Sequence, residues 1–445
     1  MMFDKIRNFV RGAMQRMFPV STIQAVIGEK IAISPEMLEA IERWTVMYKG
    51  QAPWCVDPIH SLRLEKGITR EFANVTVSEM QTKLKNQRLN KIYQLAIQDL
   101  NENFQRGLAI GAFIIKPLGP DSIQFVAQDS FIPVEFDSRG RLRKVVFIDR
   151  RRLGRDNFYF RFEYHALTKE GLRIQNKAYH STNASSIGTL VPLSSLDDWA
   201  DLPENILYLT DKVDFGYYRN PIDNTIDDSS CGVSVFESAE GIIRKADIQF
   251  GRIDWEYESG ERAIQADYTA IENADKRVNG LAKLNRRLYK GLDVQNLFND
   301  FSPDMRDEAY IRGLEEYKRD IEFNVGLAFG DLSKVADVEK TAEEVRTSKY
   351  RKYNTVNEIQ KNLKDCLEDL AYAIAFYNGA TKTDIGFECE FKDSILTSEE
   401  TDRQQDRQDL AAGIMRPEEY RAKWYNETIE DALNNLPEQD GGVQD

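Results

Sequence analysis

The sequence predicts an α+β protein, because apolar residues recur with two different periods in separate parts of the chain. Between Gly111 and about Tyr208 they alternate with polar residues, which is typical of antiparallel strands. On both sides of that region they recur every three to four residues, which is typical of amphipathic helices. A chain of 445 residues is long enough for two or three structural regions with a sizeable core.

The region before the strands begins with a segment of mixed character. Residues Met1–Pro19 combine basic and apolar side chains but contain no continuous apolar run and no cleavage signal, which counts against a secretory peptide. They indicate a docking helix or, alternatively, a helix on a membrane surface. Ser34 followed by proline predicts the start of a helix, and Gly50 its end. We predict a strand and a turn for Leu62–Thr76, and one helix from Ser78 to Leu108.

The alternating region predicts an antiparallel meander whose strands are separated by turn residues. Asp137–Gly140 and Lys169–Gly171 are the clearest turns, because each ends in glycine after polar residues. Residues Ser181–Asp201 are polar and predict a loop. The predicted strands are Ala112–Pro117, Ile123–Val126, Phe131–Phe136, Leu142–Ile148, Asn157–Tyr164 and Leu172–Tyr179.

Two long helices joined by a loop are the most informative feature of the second half. The helical period runs from Asp304 to Val325 and again from Thr341 to Tyr377, about ten turns. Thr341 and Glu344 form a capping box that begins the second of these helices. The loop between them, Gly326 to Lys340, mixes charged residues with an apolar tip. That mixture suggests a loop presented for a function, and an ordinary helical hairpin is the alternative.

Three more elements complete the second half. A helix is predicted from Ser234, and about forty residues leave and return between its end and Asp304. Ile385–Phe391 alternates as a strand after the long helix. The remaining chain is helical and acidic up to Pro437–Asp445, whose composition indicates disorder.

Composition excludes several classes of protein. The 59 Lys and Arg residues are outnumbered by 73 Asp and Glu residues, and this net charge of −14 counts against a general nucleic-acid binder. It does not count against a conduit, in which strong phosphate contacts would hold DNA in place. The four cysteines lie far apart, so we expect a reducing compartment and neither a disulfide framework nor a metal site. No apolar run of about 18 residues occurs, so we expect no membrane span.

No catalytic motif is convincing. Walker A, HExxH and GxSxG sequences do not occur, so we expect no enzymatic activity and no cofactor. One acidic cluster could bind Ca²⁺ through oxygen ligands, although a solvated loop is favoured: Asp223, Asn224, Asp227 and Asp228. The histidines have no nearby partner of a useful type and indicate structural roles: His60, His165 and His180. Arg150–Arg152 with Arg155 indicates a solubilising hairpin tip.

Four short motifs in the second half occur in a specific order. They are Val235-Phe-Glu-Ser-Ala-Glu240, Lys340-Thr-Ala-Glu-Glu-Val345, Phe391–Glu399 and Ala412–Tyr420. This order resembles the portal proteins of tailed bacteriophages, in which a helix leads into a channel loop and a long helix follows with a Thr-Ala-(Thr/Glu)-Glu start. The resemblance covers roughly residues 230 to 430. It is to portal proteins of siphophages and myophages that infect Gram-positive hosts.

The resemblance implies an α+β portal fold with a wing, a helical stem, a small α/β clip and a helical crown. The implied regions are the wing with its N-terminal helices and antiparallel sheet (1–233), the first stem helix (234–264), the clip (265–303), the second stem helix (304–326), the channel or tunnel loop (327–340), the long wing helix with a returning strand (341–392), and the crown helices with a disordered tail (393–445).

The resemblance also implies a function. Twelve copies would form a homo-oligomeric ring, a dodecamer, at one capsid vertex of the virion after assembly in the host cytoplasm. The ring would be the channel for packaging and ejection of double-stranded DNA. Its implied partners are that DNA, the terminase large subunit, the major capsid and scaffold proteins, and a head-completion or adaptor protein. No cofactor, metal or membrane is implied.

Two sets of candidate site residues follow. The DNA-channel loop would use Gly326, Phe329, Lys334 and Lys340. The clip would dock the packaging motor through Lys276, Arg277, Lys283, Arg286, Arg287 and Lys290, for which a solvated face is the alternative. A ring repeats each weak phosphate contact, so one or two lysines per subunit are enough. The basic residues that follow on the long helix are ordinary surface or further contacts: Arg346, Lys349, Arg351 and Lys352. The rival interpretations are a metal-dependent DNA-processing enzyme, which needs convergent carboxylates, and another head-completion connector protein.

Overall fold

The computed structural model describes most of the chain in several segments. They are residues 18, 20–120, 122–259, 263–266, 289–291, 298–301, 304–334, 342–380, 385–391, 399–425 and 427–436. Within them the protein is a mixture of helices and mainly antiparallel sheets, so the α+β class is confirmed.

Five helices and one strand precede the sheet. They are α1 (Val20–Ile27), α2 (Pro35–Tyr48), α3 (Leu64–Ser78), β1 (Met80–Leu84), α4 (Gln87–Ala96) and α5 (Leu100–Ile110). Helix α2 begins as predicted, because the Ser34 hydroxyl accepts the N–H of Met37 at 3.0 Å. The segment Met1–Pro19 lies outside the described residues except for Phe18, which packs edge-on against Phe160 with ring centroids 4.9 Å apart.

Two predictions in this region are wrong. Residues Leu62–Thr76 form most of a helix, because Leu64, Ile68 and Phe72 recur every four residues and face the core. The single helix predicted from Ser78 to Leu108 is a strand and two helices. Asn86 lies between the strand β1 and helix α4. Its side chain accepts the N–H groups of Arg88 and Leu89 and so caps the start of α4.

The predicted antiparallel strands are confirmed, but the first two belong to a second sheet, and three of the others extend beyond their predicted ends. A six-stranded antiparallel sheet runs in the order β4-β5-β6-β7-β8, with β9 also paired to β7. Its strands are β4 (Phe131–Phe136), β5 (Leu142–Leu153), β6 (Asn157–Thr168), β7 (Gly171–Ser181), β8 (Thr189–Val191) and β9 (Asn205–Tyr208). A second sheet has the order β10-β2-β3, from Gly216–Arg219, Ala112–Pro117 and Ile123–Ala127. The predicted loop Ser181–Asp201 is only partly loop, because it contains β8 and two helical turns that bury Trp199.

Helices α6 (Glu240–Ser259) and α7 (Asp307–Val325) form an antiparallel pair. At one end the Ser238 hydroxyl, just before α6, donates to the carbonyl of Asn324 at 3.2 Å. At the other end Glu256 accepts from the backbone N–H and the guanidinium of Arg306, each at 2.9 Å. Beyond that end lie three short strands: β11 (Ala263–Ala266), β12 (Tyr289–Gly291) and β13 (Phe298–Phe301). Strand β11 is parallel to β12 and antiparallel to β13, so the chain leaves and returns as predicted.

The long helix α8 (Ala342–Tyr377) has 36 residues, which confirms the predicted length. Its predicted apolar stripe is buried, with Val356, Ile359, Leu363, Leu367, Leu370 and Ile374 at most 1% exposed. Close approach is possible where β10 crosses it, because a Cβ on Gly216 would collide with the carbonyl of Cys366. Thr341, half of the predicted capping box, lies outside the described residues.

The last elements are one strand and three helices. Strand β14 (Phe387–Phe391) pairs antiparallel with β1, two residues later than its predicted start. Helices α9 (Glu399–Ala411), α10 (Pro417–Tyr425) and α11 (Ile429–Asn434) follow, and the predicted tail Pro437–Asp445 lies outside the described residues. One hydrophobic core joins the N-terminal helices, one face of the large sheet, α6, α7 and α8. Within the described residues, no helix combines the length and the apolar character that a membrane crossing requires.

Candidate functional site

The loop after α7 begins with a turn that only glycine suits. Gly326 has φ +84°, and a Cβ at this position would collide with the hydroxyl of Thr355 on α8. The N–H of Leu327 then returns to the carbonyl of Glu322 at 2.9 Å, a helix-ending bond. Leu327 itself is fully buried. The chain therefore turns at the candidate residue Gly326 and immediately packs against the body of the protein.

The Glu322 carboxylate fixes the next part of the loop. It lies on the last turn of α7 and is fully buried. One oxygen accepts the N–H groups of Gly330, Leu332 and Ser333 at 3.1, 2.6 and 2.7 Å. The other accepts the Ser333 hydroxyl at 2.9 Å. A buried carboxylate is tolerated when donors replace its water shell, and here one loop supplies all four.

A second carboxylate of α7 continues the same arrangement. The N–H of Lys334 donates to Glu315 at 2.7 Å, and the ammonium of Lys318 pairs with Glu315 at 2.9 Å. Burial alone would raise the pKa of Glu315, but these two donors outweigh it and lower the pKa. The Lys334 side chain remains exposed. Its backbone is therefore fixed while its charge faces solvent.

Side chains of helix α8 form hydrogen bonds with the loop backbone on the side opposite α7. The Ser348 hydroxyl accepts the N–H of Phe329 at 2.7 Å, and the guanidinium of Arg351 donates to the carbonyl of Leu327 at 3.1 Å. That guanidinium lies 4.9 Å from the ring centres of both Phe323 and Phe329. The candidate residue Phe329 is thus partly covered by a cation, with 37% of its surface exposed.

An ion chain ties this junction to the N-terminal helices. Lys352 on α8 lies 3.1 Å from Asp331 of the loop and 2.6 Å from Glu71 of α3. Burial alone would lower the pKa of Lys352, but Glu71 and Asp331 raise it, so the ammonium stays charged. The loop of residues 326–334, which we call the clasped loop, is therefore held by α7, α8 and α3 together.

The predicted apolar tip is wrong for Leu327 and Leu332, whereas Phe329 is exposed. Leu327 is buried, and Leu332 packs against the core beside Gly67 of α3. The sequence does not distinguish an exposed leucine from one that faces the body when both sit in a loop. Lys340, with the rest of residues 335–341, lies outside the described residues.

The candidate clip residues are scarcely covered by the structure. Lys290 lies in β12. The other five lie outside the described residues: Lys276, Arg277, Lys283, Arg286 and Arg287. On α8, Arg351 and Lys352 are not ordinary helix surface but parts of the junction described above. Lys349 is exposed, and the backbone of Arg346 is helical.

The expectation that His165 has no useful partner is wrong. Its two ring nitrogens lie 2.8 Å from Asp214 and 2.7 Å from Glu163, and the ring is buried. Lys116 contacts Glu163 and Tyr377 contacts Asp214, at 2.8 and 2.7 Å. Burial alone would lower the pKa of His165, but the two carboxylates raise it to about 9. We call these five residues the buried charge network. The alternation that places Glu163 and His165 on one face of β6 was its only signal in the sequence.

The other polar clusters are structural. The Asp227 carboxylate accepts the side-chain amide of Asn224 at 2.7 Å, the N–H of Ser229 at 3.1 Å and that of Ser34 at 3.3 Å, which leaves a self-satisfied turn. Arg152 and Arg155 are exposed at the tip of the β5–β6 hairpin, as predicted, whereas Arg150 is half-buried over the Phe158 ring. Within the described residues, no group of three or more His, Cys, Asp or Glu side chains could hold a metal ion.

Comparisons with known proteins add no assignment. Neither the protein-family models nor the curated proteins contain a match to this sequence.

Proposed function

We propose that the chain is a subunit of a phage portal ring, the channel at a capsid vertex through which double-stranded DNA is packaged and ejected. In this proposal the ring is a dodecamer in the virion, and the chain does no chemistry of its own. Its partners are the terminase large subunit, the major capsid and scaffold proteins and a head-completion protein. The wing, stem, clip, channel loop and crown have the bounds implied by the resemblance.

The observation that carries the proposal is the order of elements around the antiparallel pair α6 and α7. The pair has a small three-stranded sheet inserted at one end and the clasped loop at the other. A 36-residue helix then returns from the loop to the large sheet. In a portal these would be the stem, clip, channel loop and long wing helix, in the same order along the chain.

The fixed backbone of the clasped loop is consistent with a channel loop, which must keep its position while DNA moves past it. Three carboxylates and one hydroxyl fix its backbone from α7, α8 and the loop itself. Lys334 is fixed by its backbone while its ammonium faces solvent, so its position repeats accurately in each copy of a ring. A ring of single lysines in an acidic protein attracts phosphates weakly, which lets DNA slide.

Helix α8 offers a rigid connection between the loop and the sheet. Near its start it carries Ser348, Arg351 and Lys352, which contact the loop. At its end Tyr377 donates to Asp214 of the buried charge network at 2.7 Å. A force on the loop would therefore reach the wing through one continuous helix, which is stiff along its axis because each turn is hydrogen-bonded to the next.

Exposed aromatic residues on the helix pair favour an assembly. Trp255 on α6 is 64% exposed and Phe323 on α7 is 60% exposed. Large aromatic side chains at the surface are typical of protein interfaces. Neighbouring subunits of a ring would cover them.

The size and shape of the purified assembly test the proposal. Negative-stain images are expected to show rings with a central hole, and mass photometry a single species of many subunits. Trp255→Glu is expected to shift that species toward monomers, while Lys91→Ala, at an exposed position of α4, leaves it unchanged. A chain that stays monomeric at high concentration and at several salt concentrations contradicts the proposal.

The role of the loop is tested separately in packaging. Lys334→Ala should preserve the ring and change DNA retention in a salt-dependent manner, since ions screen phosphate contacts. Lys91→Ala is the matched control. Normal packaging of full-length genomes by a chain whose loop tip, residues 327–335, is deleted would show that the loop has no channel role.

A further inference from the structure

The connection between α2 and α3, residues 49–63, is anchored on α6 by a single buried carboxylate. Asp247 accepts the indole N–H of Trp54 and the backbone N–H of Leu62, each at 2.8 Å and on opposite oxygens. The Cys55 thiol lies 3.7 Å from the same group. Burial, with the nearby Asp247 charge, raises the pKa of Cys55 to about 11, so the thiol keeps its proton and can donate. Asp247 therefore seats the connection on α6.

A second buried carboxylate, that of Glu65, is affected by the charge of this anchor. Glu65, in the first turn of α3, is 0% exposed, and among the described residues neither of its oxygens has a hydrogen-bond partner. Burial raises the pKa of Glu65 to about 7; its own backbone amide and Arg63 oppose that rise, and the Asp247 charge adds to it. A buried carboxyl group to which no other residue donates a hydrogen bond is more stable in its neutral form, because its own backbone amide cannot replace the water that a charged carboxylate requires.

The other charged groups around α3 interact with residues other than Glu65. On α2, Tyr48 bonds to Thr69, and Glu102 and Arg106 of α5 act on that tyrosine. On α8, Lys352 pairs with Glu71, which lies further along α3. Within the described residues, the charged groups that act on the pKa of Glu65 are Asp247, which raises it, and Arg63, which lowers it.

We propose that Glu65 is a buried proton-binding site: it keeps its proton while the α2–α3 connection is seated on α6, and loss of that proton weakens the seating. The reason is local. Ionised Glu65 adds a second negative charge that acts on Asp247, and no other described residue donates a hydrogen bond to stabilise it. The strain is relieved when the connection lifts and water reaches both carboxylates. This inference is independent of the proposed portal function.

Hydrogen exchange in the full-length protein tests the seating. Protection of the amides in residues 52–62 and 240–250 is expected to fall between pH 6 and pH 8.5, after correction for intrinsic exchange. In Glu65→Gln it is expected to stay constant, because the amide cannot ionise. The opening equilibrium of the unsubstituted chain should rise about tenfold relative to the variant over that interval. Glu39→Gln, at an exposed position of α2, is the matched control and should behave like the unsubstituted chain.

Infrared spectroscopy identifies the group that holds the proton. The difference spectrum between pH 6 and pH 8.5 is expected to contain the band of a neutral buried carboxyl group, and Glu65→Gln should remove it. Retention of that band in Glu65→Gln together with its loss in Asp247→Asn would place the proton on Asp247 and overturn the proposal. Equal loss of protection in the unsubstituted chain and in Glu65→Gln would overturn it as well.

Discussion

Glu322 and Glu65 are two glutamates buried to the same extent, at 0% exposure, in opposite environments. Glu322, at the α7–α8 junction, accepts four donors from one loop. Glu65, at the α3–α6 junction, has no hydrogen-bond partner among the described residues. The first carboxylate organises the chain around it, whereas the second makes its junction sensitive to pH. Burial alone therefore does not determine whether a charged residue stabilises the fold, because that depends on how many hydrogen-bond donors surround it.

The largest effect is expected at the partnered glutamate. Glu322→Ala should lower the free energy of unfolding by about 4 kcal/mol, because it leaves three backbone N–H groups and one hydroxyl without their acceptor. Chemical denaturation measures the loss, and hydrogen exchange should locate it in residues 326–334. Glu316→Ala, at an exposed position on the same helix, is the control and should change stability by less than about 0.5 kcal/mol. Equal effects of the two substitutions would contradict the claim that the Glu322 carboxylate stabilises the loop.

The buried charge network extends the comparison to a histidine. The pKa of His165 is raised from 6.5 in the unfolded chain to about 9 in the fold, because Asp214 and Glu163 outweigh the opposing effect of burial. Its contribution is therefore fully present below pH 6.5 and is lost as the pH rises through 9. The loss should approach about 3 kcal/mol.

Denaturation midpoints at pH 7 and pH 9.5 measure this loss. His165→Gln should be less stable at pH 7 and should have a smaller dependence on pH over that interval. His180→Gln changes a histidine that contacts Asn157 at 3.1 Å and the Tyr159 ring but no carboxylate among the described residues, and it should keep the dependence of the unsubstituted chain. If both variants keep it, another group is responsible.

Substitution of the unpartnered glutamate should change stability with the opposite sign, although both groups make the fold less stable as the pH rises. The pKa of Glu65 is raised from 4.5 to about 7, so its burial is harmless below pH 4.5 and becomes destabilising as the pH rises toward 7 and above. Glu65→Gln should therefore increase the free energy of unfolding by about 3 kcal/mol at pH 8, with a smaller gain of about 2 kcal/mol at pH 6. Thermal unfolding at both values checks the prediction, and a substitution that destabilises the protein at pH 8 would contradict it.

The smallest effect concerns the contact of the loop with α8. Ser348→Ala removes the acceptor of the Phe329 N–H and should reduce stability by about 1 kcal/mol. Hydrogen exchange should become faster at Phe329 but remain slow at Leu332 and Ser333, which Glu322 still holds. Uniformly faster exchange across residues 327–334 would show that the clasped loop behaves as one unit and that its two sides cannot be separated.

Much of the fold could be predicted from local pattern. The alternation of residues 112–179 predicts the meander, and the stripe from Val356 to Ile374 predicts the long buried helix, because side-chain period follows backbone geometry. The errors at Leu62–Thr76 and Ser78–Leu108 occurred where apolar spacing was compatible with more than one period. In the second case a single asparagine cap, Asn86, decides the boundary.

The candidate site was predictable only in outline. Gly326 was recognisable as the end of a helix, and the loop as a break between two helical periods. The exposure of the loop could not be predicted. Leu327 and Leu332 face the interior because of contacts with α8 and α3, which the loop sequence alone does not specify. The residues that fix the loop, Glu322 and Ser348, looked like ordinary helix positions.

The sequence by itself determined the α+β class, the meander, the long helix and the glycine turn, because each depends on neighbours a few residues apart. The tertiary structure alone decided which charges are buried and with what consequence. His165 meets Asp214 across 49 positions, and Trp54 meets Asp247 across 193. Glu65 is unusual because no such partner reaches it among the described residues. The free energy of a buried charge depends on the donors and charges within a few ångströms of it. In these cases the fold brings those groups together from distant parts of the chain.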